Sequence, residues 1–174
     1  MEHSPSVPLD LEALAEQAGE LRGCLDAGAF DARLAAALDV DEARGEVAYA
    51  LDFRRLRADA IGVSGTLHAR LAARCQRCLE VFELESEISP QLLIPLAEGA
   101  ETPPDWEHAE FDAPPTLAGL IEEELLLALP FAPRHPVGEC PAEATVPAAP
   151  EPAGRRPFAG LADALAARKG RDQH

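Results

Sequence analysis

Cys75-Gln76-Arg77-Cys78 sets two thiols three residues apart, the spacing at which two thiolates can hold one zinc ion. Downstream, His135 and Cys140 offer an imidazole and a third thiol, which would complete a Cys3His tetrahedron. Zinc there would be structural, tying the region around His135 to the C-x-x-C turn. The chain carries no second C-x-x-C, so four reduced thiols, two of them packed at a turn, account for the same residues. A thioredoxin-type redox pair is a further reading. That chemistry wants the motif at a helix N-terminus, where the dipole lowers a thiol pKa. Here the motif lies between two strand patterns, with Arg74 and Arg77 as the local positive charge.

Other chemistry is thin. There is no G-x-S-x-G, no phosphate-cradling glycine loop and no H-E-x-x-H. Glu122, Glu123 and Glu124 form a carboxylate run that reads as a solvated helical turn rather than a general acid and base. A metal-dependent nuclease needs an organised carboxylate cluster, and none is visible in the spacing. His68 falls on the polar side of its strand without an obvious partner. Cys24 reads as a small core residue. The expectation is a protein that is not an enzyme.

The elements that must position the cysteines are plain around them. Ile61, Val63, Leu67, Ala69 and Leu71 alternate with Ser64, Thr66, His68 and Arg70, the period of a half-buried strand. Beyond Cys78, Phe82, Leu84 and Ile88 alternate with Glu83, Glu85 and Glu87. The pattern predicts a long β-hairpin over 61–74 and 80–94 with the cysteines at its tip. Val47, Tyr49, Leu51 and Phe53 predict another strand, and a shorter one containing Cys24 fits within 20–29.

Leu11, Leu14, Ala15 and Ala18 have helical spacing behind a candidate N-cap, Asp10, with Gly19 as a stop. DARLAAAL suits either a helical turn or a buried loop. A second helix runs over 116–129, from Thr116 as N-cap to a stop at Pro130. Leu117, Leu120, Ile121, Glu124, Leu125 and Ala128 would share its inner face. Pro95 and residues 97–115 read as an acidic, proline-bearing, mobile loop. Residues 1–140 are expected to form one α+β domain with an antiparallel sheet that can curl into a partly open barrel. Residues 141–156 read as a disordered Pro/Ala-rich linker, and 157–174 as a short amphipathic helix.

The chain has 174 residues, 31 acidic and 15 basic, for a formal net charge of -16. That balance opposes broad binding to a phosphate backbone, which needs clustered Lys and Arg. The charge is also divided along the chain. Seven Arg and three acids lie between Arg44 and Arg77, whereas Leu79 to Pro133 holds 13 acids and no Lys or Arg. Arg70, Arg74 and Arg77 make the outward side of the hairpin the one candidate phosphate-contacting surface, with Arg54, Arg55 and Arg57 as a second cluster; aromatic residues for base stacking are missing. The acidic stretch is either a solvated face or a docking surface for a cationic partner. No apolar run is long enough to span a bilayer, and the N-terminus lacks the pattern of a signal peptide, so a cytoplasmic protein with reduced thiols is expected.

VSGTLHARLAARCQRCLEVFELE, then LIEEELLLALPFAPRHPVGEC, then RPFAGLADAL together resemble the YceD family, the large ribosomal RNA subunit accumulation proteins. The positions that carry the resemblance are Cys75, Arg77, Cys78, Leu79, Glu124, Leu125, Pro130, His135, Cys140, Pro157, Phe158 and Leu161, and it spans roughly residues 9 to 168. It implies a bacterial cytoplasmic factor, with plastid relatives, for processing or accumulation of large-subunit (23S) ribosomal RNA, and no catalytic residue. Combined with the charge, it predicts an adaptor whose acidic stretch, including Glu122, Glu123 and Glu124, holds a basic ribosomal protein or assembly factor. Arg70, Arg74 and Arg77 would touch RNA or another acidic surface; no membrane and no small-molecule substrate are expected. The alternative is a thiol-dependent or nucleolytic enzyme of ribosomal RNA maturation.

Overall fold

One strand carries most of the sheet. In the computed structural model, which describes residues 5–97, 101–111, 113–141 and 160, β3 runs from Ala60 to Arg74. Its odd-numbered residues Ile61, Val63, Leu67, Leu71 and Ala73 are fully or almost fully buried, while Thr66, His68 and Arg70 face solvent. Along one side it pairs antiparallel with β2 (Gly45–Arg57), which in turn pairs antiparallel with β1 (Glu20–Asp26). Gly65 sits at the tightest part of that contact: a Cβ there would stand 2.0 Å from the Ala50 carbonyl oxygen.

On its other side β3 is long enough to hold two strands end to end. β4 (Val81–Ile88) pairs with residues 67–74, and β5 (Gln91–Pro95) pairs with 60–64. The predicted single return arm over 80–94 is therefore broken. The break falls at Ser89-Pro90, where proline has no N–H to give to the ladder; the Gly65 N–H instead donates to the Pro90 carbonyl at 3.3 Å.

The acidic loop is also more ordered than the sequence suggests. Its residues Glu107–His108 form β6, which adds to β5 in parallel, so the sheet is antiparallel except at this edge. Among the described residues the strand order is β1-β2-β3-β5-β6, with β4 beside β3, an open path rather than a barrel.

Three helices complete the α+β fold among the described residues. In α1 (Leu11–Glu16), the Asp10 carboxylate accepts from the Ala13 N–H, a cap that satisfies one orphan donor. DARLAAAL resolves into α2 (Ala32–Ala37). α3 (Leu117–Ala128) starts at Thr116, whose hydroxyl accepts from the Gly119 N–H at 3.0 Å. It ends because Leu129, preceding Pro130, is held extended. Leu117, Leu120, Ile121 and Leu125 join the inner face of the sheet in one core. Ala128 is exposed, and Glu122 takes a buried place in its stead.

Cys24 is a second correction. Leu21 and Leu25 turn inward on β1, so strand parity puts Cys24 outside, exposed, with its thiol 3.6 Å from Glu46 Oε2. The chain divides into two units, Met1–Cys140 and Pro141–His174. The predicted linker 141–156 and helix 157–174 lie outside the described residues apart from Pro141 and Gly160. Among the described residues no helix is long and apolar enough to cross a membrane.

Candidate metal centre

The inward parity of β3 continues one residue past its end, and so Cys75 is fully buried. From there the chain turns tightly. The Leu79 N–H donates to the Cys75 carbonyl at 2.8 Å, and the Cys75 N–H donates to the Glu80 carbonyl at 2.9 Å. Leu79 takes a left-handed φ of 65°, which turns the chain back toward β4. The Arg77 amide points at Cys75 Sγ from 3.4 Å.

The connection after α2 braces this turn. Arg74 donates through Nε to the Asp39 carbonyl at 3.0 Å and through Nη1 to the Leu79 carbonyl at 2.9 Å. The Gln76 amide donates to the Asp39 carboxylate at 3.1 Å. No spacing in the sequence links Asp39 to the cysteines; the contact exists only through the fold.

The segment after α3 returns to the same place. The Gln76 N–H donates to the Pro133 carbonyl at 2.8 Å, fixing the approach of His135. A turn follows in which the Glu139 N–H bonds the Pro136 carbonyl and Gly138 holds a φ of 86°, a conformation glycine adopts without strain. Cys140 is thereby delivered into a buried position. Phe82, on the inward-facing register of β4, tilts against the His135 ring with centroids 4.6 Å apart. That register was readable in the sequence, but its target was not.

Cys75, Cys78, His135 and Cys140 thus converge, with ligand atoms all within 4.8 Å of one another. Cys75 Sγ and Cys140 Sγ are 4.0 Å apart, and Cys78 Sγ and His135 Nδ1 are 3.5 Å apart. Around one tetrahedral zinc, sulfurs stand about 3.8 Å from each other and about 3.5 Å from a nitrogen ligand. The donor set fits zinc in number, softness and separation.

Its electrostatics point the same way. Burial opposes ionisation of Cys75, but the amides of Cys78, His135 and Arg77 and the His135 side chain outweigh it and bring the thiol down to about 5. Cys78 is pushed up, by burial and by the neighbouring Cys75 and Cys140 sulfurs, against a lowering contact from the Glu80 amide. Bare, the site crowds thiol groups that cannot all ionise together. A divalent cation relieves that crowding. The motif also sits in a turn between β3 and β4, not at a helix N-terminus, which removes the geometric basis for a thioredoxin-type pair.

The proposed arginine surface is placed on the solvent side of the sheet and is matched there by acids. Arg70 pairs with Glu46, and the register sets Glu85 opposite Arg70 and Glu87 opposite His68. Arg74 is drawn into the knuckle, while Arg77 is exposed beside it. Arg55 pairs with Glu12 at 3.5 Å and Arg57 with Asp59 at 3.2 Å. The stripe therefore offers little uncompensated positive charge to a phosphate backbone.

The three glutamates of α3 part company. Glu123 is exposed, whereas Glu122 is 2% exposed and Glu124 7%. Arg33 of α2 donates one nitrogen to Glu122 Oε2 at 3.0 Å and to Glu123 Oε1 at 2.8 Å. Burial, with Glu107 and Glu123 nearby, pushes Glu124 up to about 7. A solvated helical turn describes Glu123 alone.

Residues 63–163, more than half of the chain, match the family described as Large ribosomal RNA subunit accumulation protein YceD, a span that contains all four candidate ligands. No curated protein and no solved structure matches the chain.

Proposed function

Since the chain belongs to the YceD family, whose description names accumulation of large-subunit ribosomal RNA, we propose that it serves large-subunit biogenesis in the cytoplasm as a non-enzymatic, zinc-stabilised adaptor. Its acidic side receives a basic ribosomal protein or assembly factor. The observation that carries this reading is the asymmetry of charge along the chain. Residues 79–133 hold 13 acids and no Lys or Arg, while Arg70 and Arg74 on the neighbouring strand are engaged by Glu46 and by the braced turn. An RNA backbone meets repulsion across most of such a surface, and a cationic protein meets attraction.

The thiols are better explained as ligands than as nucleophiles, because coordination would occupy all three sulfurs of the converged set. Zinc there supplies a structural cross-link, holding the chain after α3 to the hairpin tip.

Affinity purification from growing cells, divided into nuclease-treated and untreated halves, tests the adaptor role. Basic large-subunit proteins or assembly factors retained after nuclease treatment are the expected result. Loss of every partner together with the RNA would shift the function to direct RNA contact. Cleavage of precursor RNA by the purified protein with Mg²⁺ would overturn the non-enzymatic reading.

A further inference from the structure

Two clefts, of about 270 and 340 Å³, lie side by side where α3 meets β6, and Glu107, Glu124 and Leu127 line both. Asp105 adds a carboxylate to one, Glu110 and Glu123 to the other. No Lys or Arg occurs in this part of the sequence. His108, the one potentially cationic side chain among the described lining residues, is held between Thr102 and Glu110 at 2.8 and 2.9 Å.

Glu124 is the unexplained group. It is more than nine-tenths buried as a residue and lines both clefts, and among the described residues no cationic side chain pairs with it. A carboxylate at the floor of a cleft is only partly solvated, so its charged form is disfavoured without a cation beside it. Its nearest charged neighbours, Glu107 and Glu123, repel it further. Protonation relieves that repulsion at low pH; once the group is ionised, a cation seated in the clefts does so.

A bare metal ion does not suit the place. Among the described residues the only set of groups close enough to share an ion is Cys75, Cys78, His135 and Cys140. The carboxylates here are spread over two clefts, which calls for an extended cation. Leu127, 73% exposed on the ridge common to both, offers apolar surface to the stem of such a group.

We propose that the paired clefts around Glu107, Glu124 and Leu127 are a receptor for a basic protein segment, with one Lys or Arg side chain seated on each side of the Leu127 ridge. This rests on the adaptor reading above and localises its contact to one place on the acidic side.

The test uses the full chain and a fluorescently labelled oligolysine peptide of about eight residues at low salt, followed by anisotropy. At pH 8.5, where Glu124 is ionised, Glu107→Gln with Glu124→Gln is compared with Glu83→Gln with Glu85→Gln, an equal loss of charge on the outer face of the sheet. Leu127→Lys, at an exposed position that folding does not need, places a cation on the ridge. The receptor predicts a loss of affinity of about tenfold or more for the first pair and for Leu127→Lys, and about twofold or less for the control pair. Equal losses in both pairs would overturn the receptor while leaving a diffuse acidic adaptor standing. No binding of the peptide to the unaltered protein would overturn the adaptor reading itself. Displacement of the peptide by spermidine at equal charge concentration would overturn a protein segment as the occupant.

Discussion

The sulfurs of Cys75 and Cys140 lie 4.0 Å apart although 65 residues separate them along the chain. Between them run β4, β5, β6 and α3. A metal joining the two closes a large loop, and cross-links over long loops remove the most entropy from the unfolded chain.

Protein purified from zinc-replete cells should therefore release about one zinc per chain on treatment with a thiol-reactive reagent. Stripping the metal, or replacing Cys140 with Ser, should lower Tm by about 10 °C. Metal analysis beside calorimetry checks both. A metal-free protein with an unchanged melting curve would return the four residues to a packed but unliganded cluster.

Arg33 and Glu122 make a second linked pair, with unequal exposure of 54% and 3% for their side chains. Among the described residues Glu122 Oε1 already lacks a partner, so removing Arg33 leaves a buried carboxylate without the cation that offsets its desolvation. Arg33→Ala should lower Tm by several degrees, and adding Glu122→Gln should restore part of the loss. Thermal melts of the single and double variants measure the coupling directly.

Glu124 should make stability fall with rising pH. Its pKa is raised from an ordinary 4.5 to about 7 in the folded chain. Below the lower value it is protonated whether the chain is folded or not. Between the two values the folded chain keeps a proton that the unfolded chain has released, so each rise in pH weakens folding, and above about 7 the cost is complete. Glu124→Gln should melt like the unaltered protein near pH 4 and higher than it at pH 8. A parallel offset at every pH would mean that packing rather than ionisation separates the two.

Gly65 tests the sheet. Any side chain there must displace the Ala50 backbone oxygen, since the Cβ would stand 2.0 Å from it. Gly65→Ala should destabilise by about 2 kcal/mol or more, because rigid backbone has to move. Urea denaturation reads the loss.

Alternation along 61–74 was enough to define β3 and its buried side, because side chains on a strand change face at every residue. The same rule carried Cys75 inward and Cys24 outward; reading Cys24 as core gave residue type more weight than parity. Asp10 and Thr116 announced their helices because a cap acts within three residues. Local patterns capture local causes. β6 escaped notice because two residues carry no periodicity, and they become a strand only where β5 is already in place.

The chemistry divides along the same line. Residue type and spacing alone nominated Cys75, Cys78, His135 and Cys140, because few side chains bind zinc and two of these are neighbours in sequence. Composition alone set the acidic stretch 79–133 against the arginine-bearing strand. Only the tertiary structure determined which charges are spent. It paired Arg70 with Glu46 and Arg33 with Glu122, and set Glu124 beside Glu107 between two clefts. Ion pairs and desolvation depend on distances between residues far apart in the chain, and a sequence contains those distances only once it has folded.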